Sequence, residues 1–191
     1  MAILFRSIAE ARNQLTQVFP ALAGVKWRIS SPCDTSYQCI AWAACRTDRV
    51  WWPWDNPRFY WPPGFTKLPF GSPVPVQSFV EVFEKEFGYR MCSGAAFEFG
   101  YQKVAIYANS LGVTHMARQH FWGRGWLSKL GESEDIVHSS PMDLTNHVAP
   151  TEYGDVVLIM KRSWWVSITS FSIFRSSWAS SRYWLYRKII S

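Results

Sequence analysis

The sequence has no uninterrupted apolar run of the ~18 residues that a membrane-spanning helix needs, so no transmembrane segment is expected. It also lacks closely spaced cysteine pairs. Cys33, Cys39, Cys45 and Cys92 include no Cys-x-x-Cys pair, and the spacing of structural zinc sites is therefore missing. No secretory signal opens the chain, because the short run Ala2-Ile3-Leu4-Phe5 meets Arg6, Glu10 and Arg12. A cytoplasmic location with reduced thiols is the expectation. Charge is scarce too, at 18% of residues, and residues 163–191 contain no Asp, Glu, Gly or Pro. That segment carries Arg175, Arg182, Arg187 and Lys188, hence most of the net charge of +6. The rest of the chain is close to neutral, which removes the electrostatic case for a nucleic-acid partner. No internal repeat is visible.

What is abundant is hydrophobic and above all aromatic: 48% of the 191 residues are apolar, with 12 Trp, 8 Tyr and 13 Phe. Such a chain is long enough to bury a core without disulfides. Three regions follow: an N-terminal helix over 1–20, an α+β domain over 21–162, and an aromatic, basic extension over 163–191. The extension has two readings. Its aromatics and arginines suit weak association with a membrane surface; alternatively it is a segment without evolved structure, such as a shifted reading frame yields, because it has neither a helical nor a strand period.

Apolar spacing predicts an amphipathic helix over 2–18, stopped by Pro20 and packed outside the core, and another over 76–87 with Gly88 as its C-terminal stop. Between them, residues 50–75 hold too many prolines for a ladder or helix. The expected strands cover 27–30, 103–108, 113–120, 126–130 and 155–161, giving an α+β fold in which helices are followed by an antiparallel sheet.

The most informative stretch is Ser36-Tyr37-Gln38-Cys39-Ile40-Ala41-Trp42-Ala43, where a polar loop becomes a short apolar helix that Thr35 or Ser36 is expected to cap. A helix start leaves N–H groups unpaired and favours an anion, so a cysteine there is readily ionised. The same N–H groups suit an oxyanion, with the Gln38 amide and the Cys39 backbone as donors. His115 is the candidate base. On a strand it shares a face with Ala117 and Gln119, and small alanines on the Cys39 helix would admit it to the ~3–4 Å that proton transfer requires. A two-residue turn at Gly123-Arg124 would set Ser128 opposite Gln119 and Glu132 opposite His115. The orienting third group is then one of Gln119, Ser128, Glu132, Asp135 or His138. These residues read as a Cys39–His115 hydrolase. They read equally as a buried cysteine and a structural histidine, which leaves a non-catalytic binding module.

A metal site would need Cys39, His115 and His138 together, a minor alternative; no metal and no cofactor is expected. Trp51, Trp52, Trp54, Tyr60 and Trp61 are the candidate substrate-binding residues, their rings forming either a substrate wall or an irregular lid over the core. Arg118 and Lys129 are cations that could hold an anionic group or simply lie solvated.

Taken together, the YQCIAWAA segment, the WWPW and YWPPG loop, KVAIYA, GVTHMARQ, GWLSKLGESEDIVH and YGDVVLIMKR resemble an uncharacterised bacterial domain family over about residues 20–162. That family usually has Asn where this chain has Gln38. Its arrangement is similar in turn to papain-like cysteine hydrolases, including NlpC/P60 and CHAP amidases. The resemblance implies a papain-like fold, a nucleophile at Cys39, a histidine at Cys39's partner position His115, a third polar residue near Ser128, and a peptide or amide substrate. Neither His nor Asn stands at the third position.

Overall fold

The computed structural model describes residues 7–145 and 153–164. Residues 1–6 of the expected first helix and nearly all of the aromatic extension fall outside them. Helix α1 (Ile8–Val18) is started by a capping box: the Ser7 hydroxyl accepts from the Glu10 N–H, and the Glu10 carboxylate accepts from the Ser7 N–H. A 3-10 turn, Pro20–Gly24, follows directly. Then come strand β1 (Arg28–Ser31), helix α2 (Cys39–Ala43) and helix α3 (Val76–Phe87). Six more strands follow: β2 (Arg90–Cys92), β3 (Tyr101–Asn109), β4 (Gly112–Gln119), β5 (Trp126–Lys129), β6 (Asp135–His138) and β7 (Asp155–Ser163).

Among the described residues these strands make one seven-stranded antiparallel sheet in the order β1-β6-β5-β4-β3-β7-β2. The molecule is mostly β with a few helices. The helices do not all precede the sheet, because β1 comes before α2 and pairs with β6.

Strand alternation sorts the core into two layers. On one face Val104, Ile106 and Met116 pack with α2, α3 and the aromatic loop. On the other, Ala105, Tyr107, Ala117, Trp126 and Ile136 pack with Leu15, Phe19 and Leu22. Helix α1 therefore closes the second layer through buried Ala11 and Leu15, rather than lying outside the core.

The expected α3 boundaries and its stop are observed: Gly88 adopts φ 68°, the left-handed conformation that suits glycine. Two strands had no signal strong enough to read. β2 is three residues long, and Asp135–His138, expected as a loop, is β6 between β1 and β5. The β4–β5 connection is also longer than a two-residue turn. Gln119 pairs with Trp126 and Arg118 with Leu127, which shifts Ser128 by two positions from its expected partner. Glu132 falls in an exposed turn after β5 instead of opposite His115.

Candidate functional site

Cys39 is the first residue of α2, as its sequence context suggests, but neither Thr35 nor Ser36 caps the helix. The N-cap is Gln38, whose side-chain amide instead donates to the Trp51 carbonyl at 3.1 Å. This contact ties the cysteine segment to the aromatic loop and occupies the group expected to serve an oxyanion. Ser36 turns back to Asp34, its hydroxyl donating at 2.5 Å.

The Cys39 side chain points onto the α2 face of the sheet, where the backbone N–H groups of Met116, Ile40 and Cys39 lie close to its sulfur. Burial pushes the thiol up to about 11, more than these N–H groups and the nearby Lys129 cation bring it down. It is 5% exposed. A polar cluster stands beside it on the same face: Tyr37 donates to Asp135 at 2.9 Å, Lys129 Nζ lies 3.9 Å from the other Asp135 oxygen, and the ammonium sits over the Tyr37 ring at 5.4 Å. Lys129 also donates to the Ser133 carbonyl. Burial lowers the pKa of Lys129 and raises that of Asp135, in each case more than the partner's opposite charge compensates.

His115 belongs to the opposite layer. It pairs across the sheet with Tyr107, stacks on Tyr153 with centroids 4.0 Å apart, and is fully buried. Neither ring nitrogen has a hydrogen-bond partner among the described residues. Burial first, then the neighbouring His138, holds its pKa well below the ordinary histidine value. Ser128 shares this layer, its hydroxyl 2.9 Å from His138 Nε2, while His138 Nδ1 is 2.7 Å from the Ser140 carbonyl oxygen. The sheet therefore separates the expected residues: Cys39 and Asp135 on one side, His115, Ser128 and His138 on the other. A thiolate–imidazole pair is not formed, and a metal site combining Cys39 with His115 and His138 lacks its sulfur.

The aromatic loop divides into an inner and an outer part. Trp51 and Trp61 are buried, and Trp61 and Trp52 each meet Phe79 of α3 edge-on at 5.4 and 5.7 Å. This inner part is a lid over the core. The outer part is a surface: half-buried Trp54 meets Phe59 and Phe70 edge-on, and those two stack with centroids 6.3 Å apart. Phe70 is 61% exposed. Trp54 is held rigidly, with its indole N–H donating to the Ser72 carbonyl at 2.9 Å and its backbone bridged to Leu68. Tyr60 lies under the Arg49 guanidinium at 4.7 Å. Reading the sequence missed Phe59 and Phe70, since nothing in a proline-rich run distinguishes inward from outward rings.

A groove of about 420 Å3 lies elsewhere, at the β1–β6 edge, lined by Lys26, Arg28, Arg124 and His138 among others. Cys39 does not line it. No helix among the described residues is long and apolar enough to cross a membrane.

Residues 28–161 match the family model described as Domain of unknown function (DUF7689). The chain belongs to this family. The match runs from the start of β1 into β7, so the DUF7689 domain comprises the sheet up to Lys161 of β7, the Cys39 helix and the aromatic loop, and leaves α1 as an addition that closes one layer. No curated protein and no solved structure matches the chain significantly.

Proposed function

We propose that this DUF7689 domain is a binding module that holds a peptide segment of a partner protein on the outer part of its aromatic loop. The observation that carries the reading is the Trp54–Phe59–Phe70 surface, in which Trp54 is held by a backbone bridge and its indole hydrogen bond and Phe70 packs against it while left 61% exposed. Rigid aromatics give contact area with little side-chain entropy to lose, which is why they anchor peptide recognition. The near-neutral body favours peptide over nucleic acid.

The test is a displayed peptide library selected on the parent chain and counter-selected on Phe70→Ser. Enriched peptides that lose at least about tenfold in affinity on the variant support the reading, a loss within the range of a single interface anchor. No enrichment, or equal binding to both proteins, contradicts it.

A second reading, a papain-like thiol hydrolase acting on a peptide or amide bond, keeps one specific support: the Cys39 sulfur sits at a helix start with three backbone N–H groups close by and the Lys129–Asp135 pair on the same face. It needs a base other than His115 and a movement that exposes the thiol.

A further inference from the structure

Helix α2 ends in a way that draws attention to a different cysteine. Ala44 caps the helix, the Arg46 N–H donates to the Ala41 carbonyl at 2.7 Å, and the Cys45 N–H donates to the Trp42 carbonyl at 3.0 Å. These two bonds form the Schellman motif, whose residue after the cap usually is glycine because it adopts the left-handed conformation. Here that residue is Cys45, with φ 60°, and it is the only non-glycine with positive φ among the described residues. A side chain in this conformation is strained, and such strain concentrates where a side chain is put to use.

The strained position directs the sulfur between two guanidinium groups. Arg118 of β4 donates to Cys45 Sγ from Nη1 at 2.6 Å, and Arg162 of β7 approaches it from Nη2 at 3.6 Å. Arg162 is 6% exposed and also donates to Gln102 Oε1 at 2.9 Å, an oxygen that accepts from the Tyr89 hydroxyl as well. Trp42 lies under Arg118 at 4.5 Å and Tyr89 under Arg162 at 4.9 Å, so aromatic faces fix both planes. Neither arginine pairs with a carboxylate among the described residues, and the Nε of each is buried without a partner. Two cations in one partly buried place need an anion, and the shared sulfur is the group that can supply it. Burial by itself would push the Cys45 thiol up; Arg118 and then Arg162 outweigh it and leave it below its ordinary value. Unlike Cys39, Cys45 is partly exposed.

We propose that Cys45 is a peroxide-reactive thiolate site, with Arg118 and Arg162 as its positioning residues. The thiolate sulfur attacks the terminal oxygen of a hydroperoxide; an S–O bond forms as the O–O bond breaks. The sulfur is oxidised by two electrons to sulfenic acid, and the departing oxygen, its charge met by an Arg118 N–H, takes a proton from solvent to leave as water or an alcohol. One small-molecule thiol condenses with the sulfenic acid to a mixed disulfide and water, and a second attacks that disulfide, releasing Cys45 as the thiolate and leaving as the oxidised thiol pair. This site is separate from the aromatic surface and stands or falls without it.

The experiment treats the full chain with less than one equivalent of hydrogen peroxide at pH 7 and traps sulfenic acid with dimedone, reading each cysteine by peptide mass. Alkylation of each cysteine against pH is measured in parallel. Cys45 is expected to be trapped ahead of Cys33, although Cys33 is more exposed, and to ionise below the free value of about 8.5. Arg118→Gln is expected to raise that midpoint by at least one unit and to slow trapping of Cys45 at pH 7. Preferential trapping of Cys33, or a Cys45 midpoint at or above the free value, overturns the proposal. Both results come from the parent chain, so the test holds even if the variant fails to fold.

Discussion

Cys39 and His115 are kept apart by the sheet itself. Met116, one residue beyond His115, faces the Cys39 helix with its backbone N–H near the sulfur, whereas His115 faces Tyr107 and Tyr153 in the other layer. Alternation along β4 makes this arrangement hard to reverse, since bringing His115 to the α2 side would bury Arg118 and Thr114 in place of Ala117 and His115.

Two imidazoles buried without charge make the fold acid-sensitive. His115 is held well below its unfolded pKa of about 6.5, and His138 is brought down to about 4, burial being the larger cause for both. The unfolded chain takes up protons below about 6.5 that the folded chain refuses, so stability is complete above that pH and is lost as pH falls toward 4. Each histidine is expected to contribute a slope of up to about 1.4 kcal/mol per pH unit in this window. Urea unfolding at pH 7, 6, 5 and 4.5 checks this, and His115→Phe is expected to remove about half the slope.

The Tyr37–Asp135 hydrogen bond is buried at both ends, at 6% and 2% exposure. Tyr37→Phe leaves an Asp135 oxygen without its donor and is expected to destabilise the fold by about 1–3 kcal/mol. Asp135→Asn in the same background should lower that loss, so a double-mutant cycle by urea midpoint at constant m-value reads the coupling.

How much of this was legible in the sequence depends on which interaction decides each feature. Helix α3 and strands β3, β4 and β7 were readable because apolar spacing and the Gly88 stop act locally. β2 and β6 were not: Arg90–Cys92 is too short to show a period, and Asp135–His138 is buried on both faces, so its polar residues resemble a loop. The position of Cys39 at a helix start was legible from one segment. Its distance from His115 was not, because the face on which a strand residue lands depends on which side of the sheet α2 packs. The Cys45 cluster joins residues 73 and 117 positions apart in the chain, and no local pattern announces it.

The far end of the aromatic loop is pinned to the sheet by a close backbone approach. Gly112 has φ 106°, a Cβ there would lie 2.4 Å from the Val74 carbonyl oxygen, and the Val113 N–H donates to that same oxygen at 2.8 Å. Gly112→Ala is expected to cost about 2–4 kcal/mol. Gly71→Ala is the control, since Gly71 has a positive φ but open space around it; only the backbone strain, about 1–2 kcal/mol, should be felt there. Thermal or urea unfolding compares the two.

The inner and outer rings of the loop should separate cleanly in stability. Trp61→Ala removes a ring that is 3% exposed and packed on Phe79, with an expected loss of about 3–5 kcal/mol. Phe70→Ser acts at the surface and should change stability by less than about 1 kcal/mol while weakening peptide capture by at least about tenfold. A large loss of stability from Phe70→Ser would assign the outer rings to the core as well.

The most direct measurement is the pH dependence of Cys39 alkylation in a chain with Cys33, Cys45 and Cys92 replaced by serine, with His115 present and as His115→Gln. The separation of the two residues by the sheet requires slow reaction, a midpoint raised from the free value of about 8.5 toward about 11, and no change on replacing the histidine. A midpoint below the free value that rises in His115→Gln would establish a thiolate–imidazole pair, contradict the separation and put the thiol-hydrolase reading first.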